Sequence, residues 1–495
     1  MYGLHSIGDY ESIFNRNPTA QSSMMWNTVS PVRAGRELAN SASLLTNNAI
    51  RIAERQKGRR PMPKLTFDKL IPNSSGICVV RYPSPCYSGQ FSDDGMLYYT
   101  STRDMRIHVY DMSCPTRKSI LEIDDRDFRR EHEHRRLLEQ STSLNPIQTI
   151  DAPGGQWTIT DTTMSQDKQW IVYSSITPLV DMARVGTMVS QNHTLLDLSE
   201  RDEGNFGIWS VRFSASSNEI LAGAQNGSII LYDVQTQRRL LNIQGHDDDV
   251  NAVTYAEAGS SNLIVTGSDD SLLKVWDRRI MNKQLPSGYL PGHTEGITYI
   301  DTKGDGRYCI SNSKDQSVRL WDLRMLRSRL NVERWSHMHY GHHNWDYRYE
   351  SYPRPNVLAH PEDCSVMVYR GHSVLRTLIR CRFSPSSTTG QQYISSGSAD
   401  GHVYIWTLDG QIIGRLESGN AFSIGSRGRA LDPSASEWSY PPRHSSSNDG
   451  TQRTVRDISW HPGAPVLLST VWDGSFGGGS VVQHEWKDHG RKSSY

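Results

Sequence analysis

Two stretches carry the same pattern: Gly245-His246-Asp247-Asp248 through Lys274-Val275-Trp276-Asp277-Arg278-Arg279, and Gly292-His293-Thr294-Glu295 through Arg319-Leu320-Trp321-Asp322-Leu323-Arg324. The Gly-His pair recurs after 47 residues (245 to 292), and the Trp-Asp pair after 45 (276 to 321). A period of about 40–45 with Gly-His in front and Trp-Asp behind is the pattern of a four-stranded propeller blade. A third copy runs from Gly371-His372 to Trp406. One blade cannot bury both faces of its sheet, so such repeats stack around an axis.

Four side chains recur inside each copy: His246, Ser268, Asp270 and Trp276; His293, Ser313, Asp315 and Trp321; His372, Ser398, Asp400 and Trp406. A His, a Ser and an Asp invite a catalytic reading. The set occurs three times, however, and an active site normally occurs once. An indole N–H, a hydroxyl, an imidazole and a carboxylate form a closed donor–acceptor chain when buried together. The expectation is therefore three structural tetrads and no catalytic residue.

The chain has 495 residues, with 53 lysines plus arginines against 53 aspartates plus glutamates. A formal charge of zero argues against global attraction to nucleic acid or to an anionic membrane. No run of about 18 apolar residues exists, so no membrane helix is expected. The six cysteines (Cys78, Cys86, Cys114, Cys309, Cys364 and Cys381) contain no Cys-x-x-Cys pair, so neither a disulfide framework nor a structural zinc site is expected. No cofactor motif appears.

The spacing of strand-like segments predicts one all-β, seven-bladed propeller over 75–490, preceded by an extension over 1–74. That extension reads as largely disordered, with one helix at 36–56. Leu38, Leu45 and Ile52 lie on its single narrow apolar stripe, which suits packing on the propeller or docking in a partner's groove. The basic cluster at 55–60 suits a linker or a nuclear import signal. Blade two is expected to open with Trp157-Thr158-Ile159-Thr160-Asp161. Insertions are expected near 113–146, 327–365 and 418–452. The second holds His337, His339, His342 and His343 amid Trp335, Tyr340, Trp345, Tyr347, Tyr349 and Tyr352. Lacking acidic or cysteine ligands at regular spacing, it reads as an aromatic packing loop and not as a metal site. The segment before Cys78 is a candidate for the strand that closes the ring. In blade six, Arg376 and Arg380 are four apart on a long entry stretch. They are candidates for a basic channel mouth that captures an acidic substrate segment; the alternative is that they pair with neighbouring carboxylates such as Asp247, Asp248, Asp249 or Glu295.

Several runs resemble the cullin-4-associated WD-repeat receptors, and within them the eleventh-member subfamily with its plant relatives. They are Trp157-Thr158-Ile159-Thr160-Asp161-Thr162, Ser268-Asp269-Asp270-Ser271-Leu272, Val275-Trp276-Asp277-Arg278-Arg279, Asn344-Trp345-Asp346-Tyr347-Arg348, Gly371 to Cys381, and Trp460-His461-Pro462. The resemblance implies a non-catalytic substrate receptor of a cullin-4 RING ubiquitin ligase. Its partners would be the damaged-DNA-binding propeller adaptor, cullin-4 through it, and substrate proteins. The expected location is nucleus and cytoplasm, and charge and hydropathy argue against direct contact with nucleic acid or membrane. The family's adaptor-binding motif is matched twice, placing Asp277, Arg279, Asp322 and Arg324 at the contact. The stripe of Leu38, Leu45 and Ile52 is the second proposed contact. The rival reading is a WD-repeat scaffold for a complex that is not a ligase.

Overall fold

A computed structural model describes residues 71–113, 141–186, 193–200, 204–283, 285–335, 337–338, 340–342, 344–353, 359–419, 422–423, 453–473 and 478–487. The helix expected at 36–56 lies outside these residues, as does most of the 418–452 stretch.

Seven antiparallel sheets form the seven blades of one propeller. Blade one comprises Cys86–Phe91, Leu97–Thr102, Arg106–Asp111 and Asn145–Asp151; blade two, Asp161–Met164, Trp170–Ser174, Leu179–Arg184 and His193–Asp197. Blade three comprises Ile208–Phe213, Glu219–Ala224, Ser228–Asp233 and Arg238–Gln244; blade four, Ala252–Glu257, Ser260–Gly267, Leu273–Asp277 and Gly288–Leu290. Blade five comprises Ile297–Thr302, Tyr308–Ser313, Ser317–Asp322 and Met367–Tyr369; blade six, Cys381–Phe383, Tyr393–Ser396, His402–Thr407 and Ile412–Glu417. Blade seven takes Arg453–Trp460, Val466–Asp473 and Gly479–Glu485 from the end of the chain and Ile77–Tyr82 from its beginning, with Ile77 opposite Gln483. The closing strand thus runs through Cys78 and does not stop before it.

The core consists of layers between blades. Ile310, Val318 and Leu320 of blade five pack with Phe383, Ile394 and Trp406 of blade six. Val172 and Leu196 of blade two pack with Val211 and Ile230 of blade three. Tyr98 and Tyr110 of blade one meet Leu468 and Val481 of blade seven, which seals the ring. A third strand is covered on both faces by its neighbours, which is why Ser228-Ile229-Ile230-Leu231-Tyr232-Asp233 is a continuous apolar run and not an alternating one. Blade two begins at Asp161, and Trp157 to Thr160 form the approach to it. The Thr158 N–H closes a tight turn on the Gln156 carbonyl at 2.8 Å, which leaves Trp157 at φ 66°.

Strand direction sorts the loops onto two faces. Turns after first and third strands lie on one face, and turns after second and fourth strands on the other. The first face receives Asp277 and Asp322, the ends of third strands in blades four and five. The chain also enters the ring there, because the Asn73 and Ser74 N–H groups bond the carbonyl of Glu485, the end of a third strand. The second face is the channel mouth, where the entry loops converge on the first strands.

Candidate partner-binding faces

In blade four the Trp276 indole N–H donates to Thr266 Oγ1 (2.9 Å). Thr266 Oγ1 lies 2.7 Å from His246 Nε2, and His246 Nδ1 lies 2.8 Å from Asp270 Oδ2. Blade five repeats the chain through Trp321, Ser311, His293 and Asp315, at 2.8, 2.7 and 2.9 Å. Indole to hydroxyl, hydroxyl to imidazole and imidazole to carboxylate is the one donor order that satisfies every member, and it requires a neutral ring protonated on Nδ1. Burial holds both histidines below their ordinary pKa, against the pull of Asp270 and Asp315. Burial alone would raise Asp270, but His246 and Lys274 outweigh it and hold the carboxyl down to about 2.

Two corrections follow. The hydroxyl in each chain lies two residues earlier than Ser268 and Ser313. Those two serines instead tie the turn to the entry loop, donating to the carbonyls of Asp248 (3.0 Å) and Glu295 (2.9 Å). The third tetrad does not form. Tyr404 stands two before Trp406, where the other blades have Lys274 and Arg319. It stacks on that indole (5.8 Å, 19°) and donates to Asp400 at 2.8 Å. His372 turns instead to Asn312 Oδ1 of blade five (2.9 Å), and Trp406 donates to the Arg370 carbonyl (3.2 Å). Ser398 accepts the Ser373 N–H at 3.0 Å.

On the first face the two Trp-Asp-x-Arg turns are superposable in their bonding. Arg279 Nε and Nη2 donate to the two oxygens of Asp277 (2.9 and 2.6 Å), and its backbone N–H adds a third bond at 3.0 Å. Arg324 does the same with Asp322 (3.0, 2.7 and 3.0 Å). Each guanidinium is therefore already forked on its own aspartate and is not free to fork a partner. The arginine side chains remain 70% and 65% exposed, so the Nη1 edge of each faces outward in a fixed orientation. Such exposed pairs contribute little to folding. Leu38, Leu45 and Ile52 lie outside the described residues, but the chain joins the ring on this same face.

The mouth face differs from the sequence expectation. Arg380 is not at its surface. It is 3% exposed, with Nη2 on Asp161 (2.8 Å), Nη1 on Asp457 (3.2 Å) and its guanidinium over the Tyr299 ring. Arg212 takes the other Asp161 oxygen at 2.5 Å, and Arg382 lies 3.8 Å from both Asp301 and Asp457. Burial would raise Asp161, yet Arg212 and Arg380 hold it down to about 2. These residues come from five blades and bolt the first strands together around the axis. Arg376 stays partly exposed at φ 71°, its N–H given to the Tyr347 carbonyl at 2.7 Å. With Arg380 consumed internally, the two arginines do not form a joint basic mouth.

The second insertion crosses from one face to the other. Arg327 exchanges backbone bonds with Tyr289 of blade four; further on, His342 N–H donates to Glu295 (2.6 Å), and Lys314 sits 4.4 Å over the Tyr347 ring. Its Trp345-Asp346-Tyr347-Arg348 repeats the Asp–Arg fork, with bonds of 2.9 and 2.6 Å. His339 and His343 lie outside the described residues. No helix among the described residues is long and apolar enough to cross a membrane.

Comparison with known proteins agrees with this geometry. The WD domain, G-beta repeat, matches residues 198–233, 237–277, 284–322 and 363–407. The chain is similar to the LEC14B homolog of Prunus armeniaca, 38% identical over 422 residues, which are 83% of this chain and 75% of that one. The LEC14B protein of Lithospermum erythrorhizon is 37% identical over 423 residues, again 83% and 75%. The DDB1- and CUL4-associated factor 11 homolog of Caenorhabditis briggsae is 34% identical over 348 residues, 68% of this chain and 55% of that one.

Proposed function

The chain belongs to the WD-repeat family of the LEC14B and DDB1- and CUL4-associated factor 11 proteins, and from that premise we propose that it is a non-catalytic substrate receptor of a cullin-4 RING ubiquitin ligase. In this reading the first face binds the ligase's propeller adaptor, cullin-4 joins through the adaptor, and the mouth face holds substrate. The observation that carries the reading is the pair of identical Asp–Arg forks on adjacent blades, on the face where the chain joins the ring. In each fork the Trp is committed to the blade interior, the Asp holds the Arg, and the Arg presents a fixed N–H edge to a carbonyl or carboxylate of the partner. The stripe of Leu38, Leu45 and Ile52 supplies a second, apolar contact. The receptor acts in nucleus and cytoplasm.

The test is co-precipitation of adaptor and cullin-4 with Arg279→Ala plus Arg324→Ala. Binding falls while circular dichroism stays native, because both side chains lie beyond the strand ends. Leu45→Asp acts in the same direction by placing a charge in the stripe. Full binding by the double variant would reduce the forks to local ion pairs and return the protein to the scaffold reading.

A further inference from the structure

Arg212 and Arg380 at the axis are paired internally, so the chemistry of the mouth is set by what stands above them. Four aromatic rings line one arc of the rim, one from each of blades seven, one, two and three. Trp472 lies 6.1 Å from Tyr87, Tyr87 lies 6.4 Å from Trp157, and Trp157 meets Trp209 edge-on at 6.3 Å and 88°. All four sit at the end of a second strand or the start of a first strand, which places them on the mouth face. Trp157 is 52% exposed. A large indole left in water, on a left-handed φ of 66°, is a conformation the turn must hold at a cost. The ring touches its rim neighbours Tyr87 and Trp209 and still leaves half of its surface open to a partner.

The arc ends on charge. The Trp209 indole N–H donates to Asp249 Oδ2 at 3.0 Å. Asp249 closes the run Asp247-Asp248-Asp249 on the entry loop of blade four, and Asp269 stands beside it. Lys314 pairs with Asp269 at 2.7 Å. Asp247, Asp248 and Asp249 have no ion pair with a described cation. Burial, together with the like charges of Asp269 and Asp248, pushes the Asp249 carboxyl up to about 6, against the Trp209 hydrogen bond and the charge of Lys314. Within the arc the Arg456 guanidinium lies over the Tyr87 ring, 5% exposed and bonded to Thr377.

We propose that the mouth binds a substrate segment through a lysine or arginine side chain, whose charged end lies over the Trp157 and Trp209 rings and is neutralised by Asp248 and Asp249. Indoles attract a cation through their faces, and a neighbouring carboxylate supplies the counter-charge. An acidic segment meets Asp248 and Asp249 at the same place and is repelled. The proposal rests on the receptor reading only in calling the bound segment a substrate.

The experiment uses the full chain and two 15-residue fluorescent peptides of the same Gly/Ser backbone, one carrying lysines and arginines and the other glutamates at those positions. Fluorescence anisotropy measures binding, and adaptor co-precipitation is run on the same proteins. The basic peptide binds and the acidic one does not. Trp157→Ala weakens the basic peptide about tenfold, as expected for losing one partly desolvated cation–π contact, and Asp248→Asn with Asp249→Asn weakens it at least as much. Trp157→Ala leaves thermal stability unchanged because the ring is half exposed. Equal binding of the two peptides, binding of neither, or undiminished binding by Trp157→Ala overturns the proposal. Loss of adaptor binding in the Arg279→Ala, Arg324→Ala protein bears on the receptor reading alone, since those residues lie on the opposite face.

Discussion

Ser311→Ala removes the hydroxyl at the centre of the blade-five chain. Ser311 and Trp321 are fully buried, and His293 is 1% exposed. The change strands two groups: the Trp321 indole N–H loses its acceptor, and His293 Nε2 loses its donor. A buried polar group left unsatisfied costs about 1–3 kcal/mol, so two cost about 2–6 kcal/mol. For a propeller of this size each kcal/mol lowers Tm by roughly 1–2 °C, so a fall of about 2–12 °C is expected by differential scanning calorimetry. Ser396→Ala is the control. Ser396 holds the equivalent place in blade six and is equally buried, but it donates only to the Gly397 and Arg380 carbonyls. Its loss costs about 1 kcal/mol. Ser311→Thr should be tolerated, because Thr266 fills the same role in blade four. Equal losses from Ser311→Ala and Ser396→Ala would refute the reasoning, since they would show that the hydroxyl does not act through the indole and imidazole.

Arg380→Ala leaves Asp161 and Asp457 short of a buried counter-charge and should destabilise by about 3–5 kcal/mol in urea unfolding; a stability within 1 kcal/mol of the parent, roughly the effect of an ordinary surface change, would contradict the axial role. Trp276→Ala should cost about 3–5 kcal/mol through the cavity it leaves, measured the same way. Acid should weaken the fold between pH 6.5 and about 4. His108, His372 and His484 are each held by burial at about 4, so the folded state binds fewer protons than the unfolded one and loses stability as pH falls through that window. Asp181 and Asp249, raised to about 6 by burial, act oppositely and blunt the loss. His372→Gln should flatten the profile, checked by urea midpoints at pH 7 and pH 5.

The architecture was legible because its signal repeats. Gly-His marks blades four, five and six and Trp-Asp marks blades four and five, and the first strands of blades two to five begin 47, 44 and 45 residues apart. The bonding within a blade was not legible at the same resolution. Ser268 and Ser313 stand two residues from Asp270 and Asp315, but so short a separation says nothing about which hydroxyl faces the indole, and a β-strand turns alternate residues to opposite sides. Thr266 and Ser311 lie on the same side of the strand as those serines and reach the ring. The third tetrad failed for a reason visible afterwards in one position, Tyr404 in place of a lysine or arginine. Arg380 pairs with carboxylates, but not with those of the entry loops that lie near it in the sequence pattern, where a charged residue at a strand entry reads as exposed. In a closed ring that entry points at the axis, where carboxylates from blades two and seven converge. The aromatic arc was hidden because its members come from four blades, and each ring alone looks like ordinary core.

The closing strand sets a timetable for making the protein. Ser74 and His484, which meet in the finished ring, are 410 positions apart. At about 5–20 residues per second, synthesis separates their appearance by roughly 20–80 s. For that interval Ile77–Tyr82, whose earlier partners are only the short segments Ser141–Thr142 and Phe422–Ser423, is a largely apolar edge with no blade to join. Blades one to six can stack as they emerge, but the ring is an open arc until the last strands arrive. A nascent chain arrested before Gly479 should therefore be the species that chaperones hold and proteases cut, whereas the released chain, once zipped, presents no such end.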